Sequence, residues 1–236
     1  MEVVAEMSEQ SVGILGGMGP EATVELFHRI LSLTPAKKDQ EHLHVLIDSN
    51  PKIPDRTAAI LGGGESPVRL LIAAARNLER AGADFIAIPC NTAHYWLSEL
   101  RGAVSIPIID MIGETAKQVT DHRSLLHKIG LIATTGTLRS GLYQRAFADR
   151  GIALLTPSDE QETEVMIAIK QIKAGDHRVR GSLIGVSEEL IERGAEGIIP
   201  GCTELSLVVT QDVISVPVFD PLSILAECAV ALAREK

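Results

Sequence analysis

The chain has 236 residues, of which 45% are hydrophobic and 3% aromatic, so the composition excludes disorder and predicts one large or two small domains with an aliphatic core. The net charge of −9 argues against a nucleic-acid partner. No apolar stretch reaches the length of a membrane span, the first ten residues lack the basic segment of a signal peptide, and the three cysteines are widely spaced. We therefore expect free thiols and a cytoplasmic protein with no membrane partner.

Short aliphatic strands alternate with amphipathic helices along the chain. Prolines at first-turn positions, such as Pro20, and glycines after helix ends, such as Gly82, mark the helix boundaries. This alternation predicts an α/β fold with parallel sheets flanked by helices. The predicted strands cover 12–15, 43–48, 84–88, 106–109, 129–133, 152–155, 196–199 and 216–219, and the predicted helices cover 20–33, 67–81, 111–119, 141–150, 160–174, 179–193 and 221–234.

Three segments of the first half of the chain reappear in the second half in the same order. VGILGGMG is matched by IGLIATTG, ERAGADFIAIPC by ERGAEGIIPGC, and SIPIID by SVPVFD. Three matches in register predict two domains of similar architecture. Because the last Ser-x-Pro strand and helix are expected to return to the first half, we assign residues 1–106 and 216–236 to one domain and residues 107–215 to the other.

Two of the three cysteines occupy equivalent places in this repeat. Cys90 and Cys202 each follow a predicted strand, at the edge of a parallel sheet where ligands bind, and free N–H groups of the following turn favour a thiolate. Two thiols on opposite sides of one carbon can remove a proton from one face and return a proton to the other. The alternatives are buried cysteines without chemistry or a disulfide. Cys228 lies in a helical apolar pattern and is interpreted as core.

The motifs GILGGMGPEAT (13–23), NPKIPDRT (50–57), PCNTAH (89–94), ATTGT (133–137) and GCTE (201–204) together resemble the cofactor-independent aspartate racemases of the aspartate/glutamate racemase superfamily. The resemblance implies two similar α/β domains with the active site in the cleft between them. It also implies no pyridoxal phosphate and no metal, a homodimer, and proton transfer by two cysteines that interconverts L- and D-aspartate or a close acidic analogue. The glutamate racemase branch differs: it carries an acidic Asp-Ser-Gly after the first strand, where this chain has Gly16-Gly17-Met18-Gly19, and a histidine after Gly-Cys-Thr, where this chain has Glu204.

An acidic amino acid needs a cation and several hydrogen-bond donors. Arg56 is the first candidate for the second carboxylate, although a surface pair with Asp55 or Glu65 is the alternative. Lys173 matches a family position less securely, and a solvated lysine at a helix end is the alternative. Turn residues supply the other candidates, for which helix capping is the alternative. They are Met18, Asn91, Thr92, Thr135, Gly136, Thr137, Thr203 and Glu204, the last of which would orient either the Cys202 turn or the substrate amino group.

Other functions remain open from the sequence alone. GMGPEA (17–22) follows a strand as in a dinucleotide-binding fingerprint, although Asp48 lies too far downstream for the usual spacing. Cys90 and His94 have the spacing of two zinc ligands on one helix face, without a second cysteine pair. A non-catalytic amino-acid binding module, a broad-specificity racemase and a maleate-isomerase-like enzyme are further alternatives.

Overall fold

The structure is a computed structural model that describes residues 9–122, 125–176 and 178–235. The described residues form six strands and ten α-helices that alternate in the expected way. The strands are β1 (Val12–Gly16), β2 (Val45–Ser49), β3 (Phe85–Ala87), β4 (Lys128–Ala133), β5 (Ala153–Leu155) and β6 (Ile198–Gly201). The helices are α1 (Pro20–Leu33), α2 (Arg56–Ile60), α3 (Val68–Ala81), α4 (Leu97–Arg101), α5 (Met111–Thr120), α6 (Thr135–Ser140), α7 (Leu142–Phe147), α8 (Asp159–Lys173), α9 (Arg180–Glu192) and α10 (Pro221–Arg234).

The strands make two three-stranded sheets of identical topology. The first sheet has the order β2-β1-β3 and the second the order β5-β4-β6, and all strands within each sheet are parallel. The central strands β1 and β4 are the two members of the first repeated motif, and almost all of their residues are buried. The predicted α/β fold and its internal repeat are therefore confirmed.

The two Ser-x-Pro segments extend each sheet by a single parallel bridge rather than by a full strand. Ile86 pairs with Ile108, and Ile198 pairs with Val218. In each bridge, one isoleucine of the sheet makes both hydrogen bonds. For example, the Ile86 N–H donates to the Pro107 carbonyl at 2.8 Å, and the Ile86 carbonyl accepts the Ile109 N–H at 3.0 Å. The strands predicted at 106–109 and 216–219 are shortened because proline has no N–H with which to continue a ladder.

These bridges also correct the expected placement of the two segments. Residues 107–109 pair with the first sheet, and residues 216–219 pair with the second sheet, which is the reverse of the prediction. Helix α10 does return to the first half, where it packs against α1, and it also packs against α5. Side chains of both α5 and α10 belong to the cores of both sheets. The wider division into two domains stays a prediction.

All seven predicted helices are present in the described residues, and three short helices, α2, α4 and α6, were not predicted. The helix predicted at 141–150 is α7, and the preceding α6 ends where Gly141 adopts a left-handed φ of +67° that an L-residue rarely takes. Within the described ranges, no helix combines the length and the apolar character needed to cross a membrane.

Candidate active site

Cys90 and Cys202 lie just beyond the carboxyl ends of β3 and β6 and line the same cavity. Each is buried, with 6% of its surface exposed, and both are free thiols, so the disulfide alternative is wrong. The cavity is formed by loops of both halves of the chain. Its lining residues are Met18, Asp55, Arg56, Thr57, Cys90, Asn91, Thr92, Thr134, Lys173, Cys202, Thr203 and Glu204.

His94 holds the turn that carries Cys90. Its Nδ1 lies 2.9 Å from the Cys90 carbonyl, and its Nε2 accepts a hydrogen bond from the Met111 N–H at 3.2 Å. Burial lowers the pKa of His94, so the ring is neutral with its proton on Nδ1. Both ring nitrogens are therefore engaged, which argues against the zinc alternative. Among the described residues, no group of three or more His, Cys, Asp or Glu side chains is placed to hold a metal ion.

Cys202 is a thiol rather than a thiolate. Its Sγ donates to Glu204 Oε2 at 3.0 Å, and burial together with the negative charge of Glu204 raises the pKa of Cys202 well above its ordinary value. The expectation that the following turn favours a thiolate is thus wrong for this cysteine. A short 3₁₀ turn, Leu205–Leu207, follows Cys202, and its few N–H groups do not outweigh an adjacent carboxylate.

Lys173 forms an ion pair with the same carboxylate. Its Nζ lies 3.7 Å from Glu204 Oε1, at the last residue of α8. Burial lowers the pKa of Lys173, but the negative charge of Glu204 opposes this effect, and the net pKa is raised. Lys173 is therefore a charged residue that ends a helix, stays partly exposed to solvent and also lines the cavity.

Among the described residues, Arg56 forms no ion pair with a carboxylate, and its recorded partners are backbone carbonyls. Its guanidinium donates to the backbone carbonyls of Ile53, Pro54 and Met18 at 3.1, 3.0 and 3.3 Å. Asp55 instead caps α2 with its side chain, so the structure does not show the alternative of a surface pair between Arg56 and Asp55. Carbonyl oxygens fix the orientation of the guanidinium but leave its net charge available to an anion.

A triangle of threonine hydroxyls joins the two halves beside the cavity. Thr92 Oγ1 lies 3.0 Å from Thr134 Oγ1 and 2.9 Å from Thr137 Oγ1, and the last two atoms are 3.0 Å apart. Thr134 also accepts the Thr137 N–H as the N-cap of α6. Capping, the alternative considered for these threonines, is thus one part of what they do.

Three residues of this turn that the sequence suggested as substrate contacts do not line the cavity: Thr135, Gly136 and Thr137. The close packing of α6 on α2 explains the glycine, because a Cβ at Gly136 would lie 2.8 Å from Thr57 Cα. Thr57 and Thr134 take their places on the cavity wall. The other predicted site residues all line the cavity.

Tyr143 is a buried residue that supports the site through Asn91, and no sequence pattern predicted this role. Its hydroxyl donates to Asn91 Oδ1 at 2.6 Å, and burial raises the pKa of Tyr143 well above its ordinary value, so the phenol stays protonated. This bond orients the Asn91 amide and leaves Asn91 Nδ2 without a hydrogen-bond partner. An amide this deeply buried normally has partners for both of its polar atoms.

Buried polar atoms without hydrogen-bond partners concentrate at this cavity. Five such side-chain atoms occur in the described part of the chain, and three of them, Arg56 Nε, Asn91 Nδ2 and Glu204 Oε1, belong to cavity-lining residues. Each unsatisfied buried group costs about 1–3 kcal/mol, so a cluster of them indicates a place where a ligand supplies the missing partners.

Gly16 and Gly17, at the start of the glycine-rich loop, serve the packing of the chain itself. A Cβ at Gly17 would lie 2.4 Å from the carbonyl carbon of Asn50, and one at Gly16 would lie 2.4 Å from Thr23 Oγ1. Gly17 also has a φ of +91°. These contacts account for the glycine-rich loop without a dinucleotide.

Residues 15–229 match the family model described as Asp/Glu/Hydantoin racemase. The chain is 29% identical to the broad specificity amino-acid racemase RacX of Bacillus subtilis over 228 residues, which cover 93% of this chain and 96% of the relative. Among solved structures, it is similar to the aspartate racemase of Picrophilus torridus, with 29% identity and a TM-score of 0.87, and the match covers 96% of this chain and 95% of the other.

The chain is also similar to the structure of an aspartate racemase homologue from Pyrococcus horikoshii OT3, with 27% identity and a TM-score of 0.77. This match covers 96% of this chain and 100% of the other. The family match spans both sheets and both cysteine turns, and it agrees with the resemblance carried by the sequence motifs. The chain therefore belongs to the Asp/Glu/Hydantoin racemase family and is a racemase.

Proposed function

We propose that this enzyme interconverts L- and D-aspartate, or a close acidic analogue, by proton transfer between Cα and two cysteine thiols. One observation carries the proposal: Cys90 and Cys202 come from equivalent turns of the two halves and line one cavity together with Arg56. A two-sided transfer needs two acid–base groups that reach one carbon from opposite sides. Two equivalent turns facing one cavity supply such a pair.

Cys202 begins as the acid and Cys90 as the base. A Cys90 thiolate removes the α-proton, and the Cys202 S–H delivers its own proton to the opposite face of the same carbon. The substrate leaves inverted, with Cys90 protonated and Cys202 as thiolate, and the reverse reaction exchanges the roles. The hydrogen bond to Glu204 and the raised pKa of Cys202 support its resting form as the proton donor.

The cavity walls match the charges of an acidic amino acid. Arg56 binds the side-chain carboxylate with its guanidinium, and Lys173 adds a second positive charge at the wall. Asn91 Nδ2 and the neighbouring Thr92 offer donors to the α-carboxylate, on which negative charge grows when the α-proton leaves. The carboxylates of Asp55 and Glu204 lie at the same walls and give the ammonium group a partner.

Exchange of the α-proton with solvent tests the proposal most directly. The purified enzyme is incubated in D₂O with L-aspartate and, separately, with D-aspartate, without pyridoxal phosphate. We expect deuterium at Cα and formation of the opposite enantiomer from both substrates. If neither enantiomer of aspartate and neither enantiomer of glutamate exchanged its α-proton, an acidic amino acid would be rejected as the substrate.

The similarity to RacX along nearly its whole length supports broad specificity as the second candidate. The same assay with alanine and other neutral amino acids separates the two, since a broad-specificity enzyme turns them over at rates near that for aspartate. We also propose a cytoplasmic homodimer, for which the resemblance to aspartate racemases and the three free cysteines are the support. Analytical ultracentrifugation of the purified chain tests the dimer.

A further inference from the structure

In both halves, the residue four positions after the cysteine ties the cysteine turn to the start of a helix. His94 bonds the Cys90 carbonyl and the N–H of Met111, the first residue of α5. Ser206 is its counterpart after Cys202, and its hydroxyl donates to Asp220 Oδ1 at 2.6 Å. His94 and Ser206 are both buried, with 3% and 2% of their surfaces exposed.

Asp220 is the N-cap of α10, just as Asp110 is the N-cap of α5. It accepts the Leu222 N–H at 3.0 Å and is also bonded by Arg29 of α1. The turn of the second half that carries Cys202 is thereby attached to a helix of the first half. His94 and Ser206 differ in chemistry, but each connects its cysteine turn to the beginning of a helix, α5 for His94 and α10 for Ser206.

The helices α5 and α10 pack against each other. Met111 of α5 and Leu222 of α10 belong to the core of the first sheet, whereas Ile112 and Ile224 belong to the core of the second. The helix pair is therefore held by both sheets and is close-packed. A continuous path of bonded and packed groups runs from the Cys90 turn through α5 and α10 to the Cys202 turn.

We propose that His94 and Ser206 are positioning residues that set the separation of the two reacting sulfurs through the α5–α10 pair. The proposal rests on the proposed function, because only a reaction that uses both thiols on one carbon needs a fixed distance between them. Reacting atoms must approach to about 3–3.5 Å, and a displacement of about 1 Å costs roughly a hundredfold in rate. Neither residue lines the cavity, so each acts through its cysteine turn.

Ser206→Ala is the test variant, and Ser187→Ala is its matched control. Ser187 is a buried serine of the same half, with its hydroxyl bonded to the Leu183 carbonyl at 2.8 Å, and it lies on α9 away from the cavity. Each substitution removes one buried hydroxyl and one hydrogen bond. Equal urea midpoints for the two variants establish that they are matched in stability.

The first readout needs no substrate. Dibromobimane bridges two neighbouring thiols, and intact-mass analysis with peptide mapping measures the rate at which it links Cys90 to Cys202. We expect Ser206→Ala to slow this bridging at least about fivefold and Ser187→Ala to leave it at the wild-type rate. Equal bridging rates in the two variants would overturn the proposal, whatever the activity of the wild-type enzyme.

The second readout separates positioning from loss of folded enzyme. For the enantiomer whose proton Cys90 removes, Ser206→Ala should keep deuterium exchange with retention within about twofold, whereas inversion falls about 10- to 100-fold because Cys202 is displaced. His94→Leu should show the same separation with the opposite enantiomer. A parallel loss of exchange and inversion in Ser206→Ala would reject the positioning role. If the wild-type enzyme showed neither deuterium exchange nor inversion, the proposed function would be rejected. The rate of thiol bridging would then still decide whether Ser206 sets the separation of the two sulfurs.

Discussion

Cys202 Sγ lies 3.0 Å from Glu204 Oε2, and the second oxygen of the same carboxylate lies 3.7 Å from Lys173 Nζ. Glu204 is only 2% exposed, so water does little to screen its charge from the thiol. The carboxylate therefore opposes ionisation of Cys202 while it fixes the direction of the S–H bond. The two cysteines occupy equivalent turns but differ in their partners, since Cys90 has a neutral histidine behind it.

Replacing Glu204 by glutamine is expected to lower the pKa of Cys202. The amide oxygen of glutamine still accepts the S–H, but the negative charge that raises this pKa is gone. Ultraviolet absorbance of the thiolate, followed during an alkaline titration in a Cys90→Ser and Cys228→Ser background, measures the shift. Glu162→Gln, which changes a carboxylate on the same half that does not line the cavity, is the control. An unchanged or higher pKa in Glu204→Gln would contradict the electrostatic role of this carboxylate.

Single replacement of either cavity cysteine by alanine is expected to abolish racemisation. A positioned acid or base contributes about 10²–10⁴-fold, so Cys90→Ala and Cys202→Ala should each lose at least about a hundredfold in turnover in both directions. Polarimetry or chiral chromatography of aspartate measures the loss. Cys228→Ala is the control, because Cys228 is a residue of α10 that packs against the cores of both sheets and lies outside the cavity. Normal racemisation by either cavity variant would rule out the two-thiol mechanism.

Arg56→Ala is expected to reduce kcat/KM for aspartate about 10- to 100-fold more than for alanine. A hydrogen bond to a charged group contributes about 1.5–3 kcal/mol, and alanine lacks the carboxylate that the guanidinium would bind. Arg69→Ala, at an exposed arginine of α3, controls for the loss of a positive charge. The comparison needs only steady-state rates with the two substrates. Equal losses for aspartate and alanine would show that Arg56 does not read the side chain.

Tyr143→Phe is expected to destabilise the protein by about 1–3 kcal/mol and to lower kcat/KM. The substitution leaves Asn91 Oδ1 buried without its donor and frees the amide to rotate. Urea unfolding gives the change in stability, and aspartate racemisation gives the change in rate. Phe147→Leu, a conservative change in the same helix and core, separates the two effects, because it alters packing and leaves Asn91 bonded. If Tyr143→Phe and Phe147→Leu had the same racemisation rate per amount of folded protein, the result would argue against a role for the Asn91 amide.

The sequence predicted those parts of the site that depend on local pattern and repetition. Cys90 and Cys202 follow aliphatic strands in matched segments, and the parallel sheets then place both at one edge. The contact of Tyr143 with Asn91 joins residues far apart in the chain, and a lone tyrosine in a helix has no local signal for its partner. The acid form of Cys202 depends on the buried orientation of a carboxylate two residues away, which spacing alone does not determine.

Sheet pairing shows the same limit. The SVPVFD segment has the composition of a strand, but whether it pairs with the first or the second sheet depends on which edge is open. Ile198 at the edge of the second sheet takes both its hydrogen bonds from this segment, and the helix that follows then crosses to α1. Hydrophobic pattern predicts that a segment is buried, whereas its neighbour is chosen by the three-dimensional path of the chain.

Gly17→Ala is expected to cost more stability than Gly62→Ala, although both glycines have a positive φ, of +91° and +80°. The left-handed conformation costs an L-residue about 1–2 kcal/mol at either position. At Gly62 the added Cβ meets no atom within 4 Å, whereas at Gly17 it would lie 2.4–2.6 Å from backbone atoms of Asn50. Overpacking of this kind adds about 1–3 kcal/mol, and urea unfolding of the two variants measures the difference. Gly17 precedes Met18, whose carbonyl accepts a hydrogen bond from Arg56. The Gly17→Ala variant should therefore also lose aspartate turnover, whereas Gly62→Ala should retain it. Equal stabilities and equal turnover rates of the two variants would mean that the loop at Gly17 tolerates a side chain.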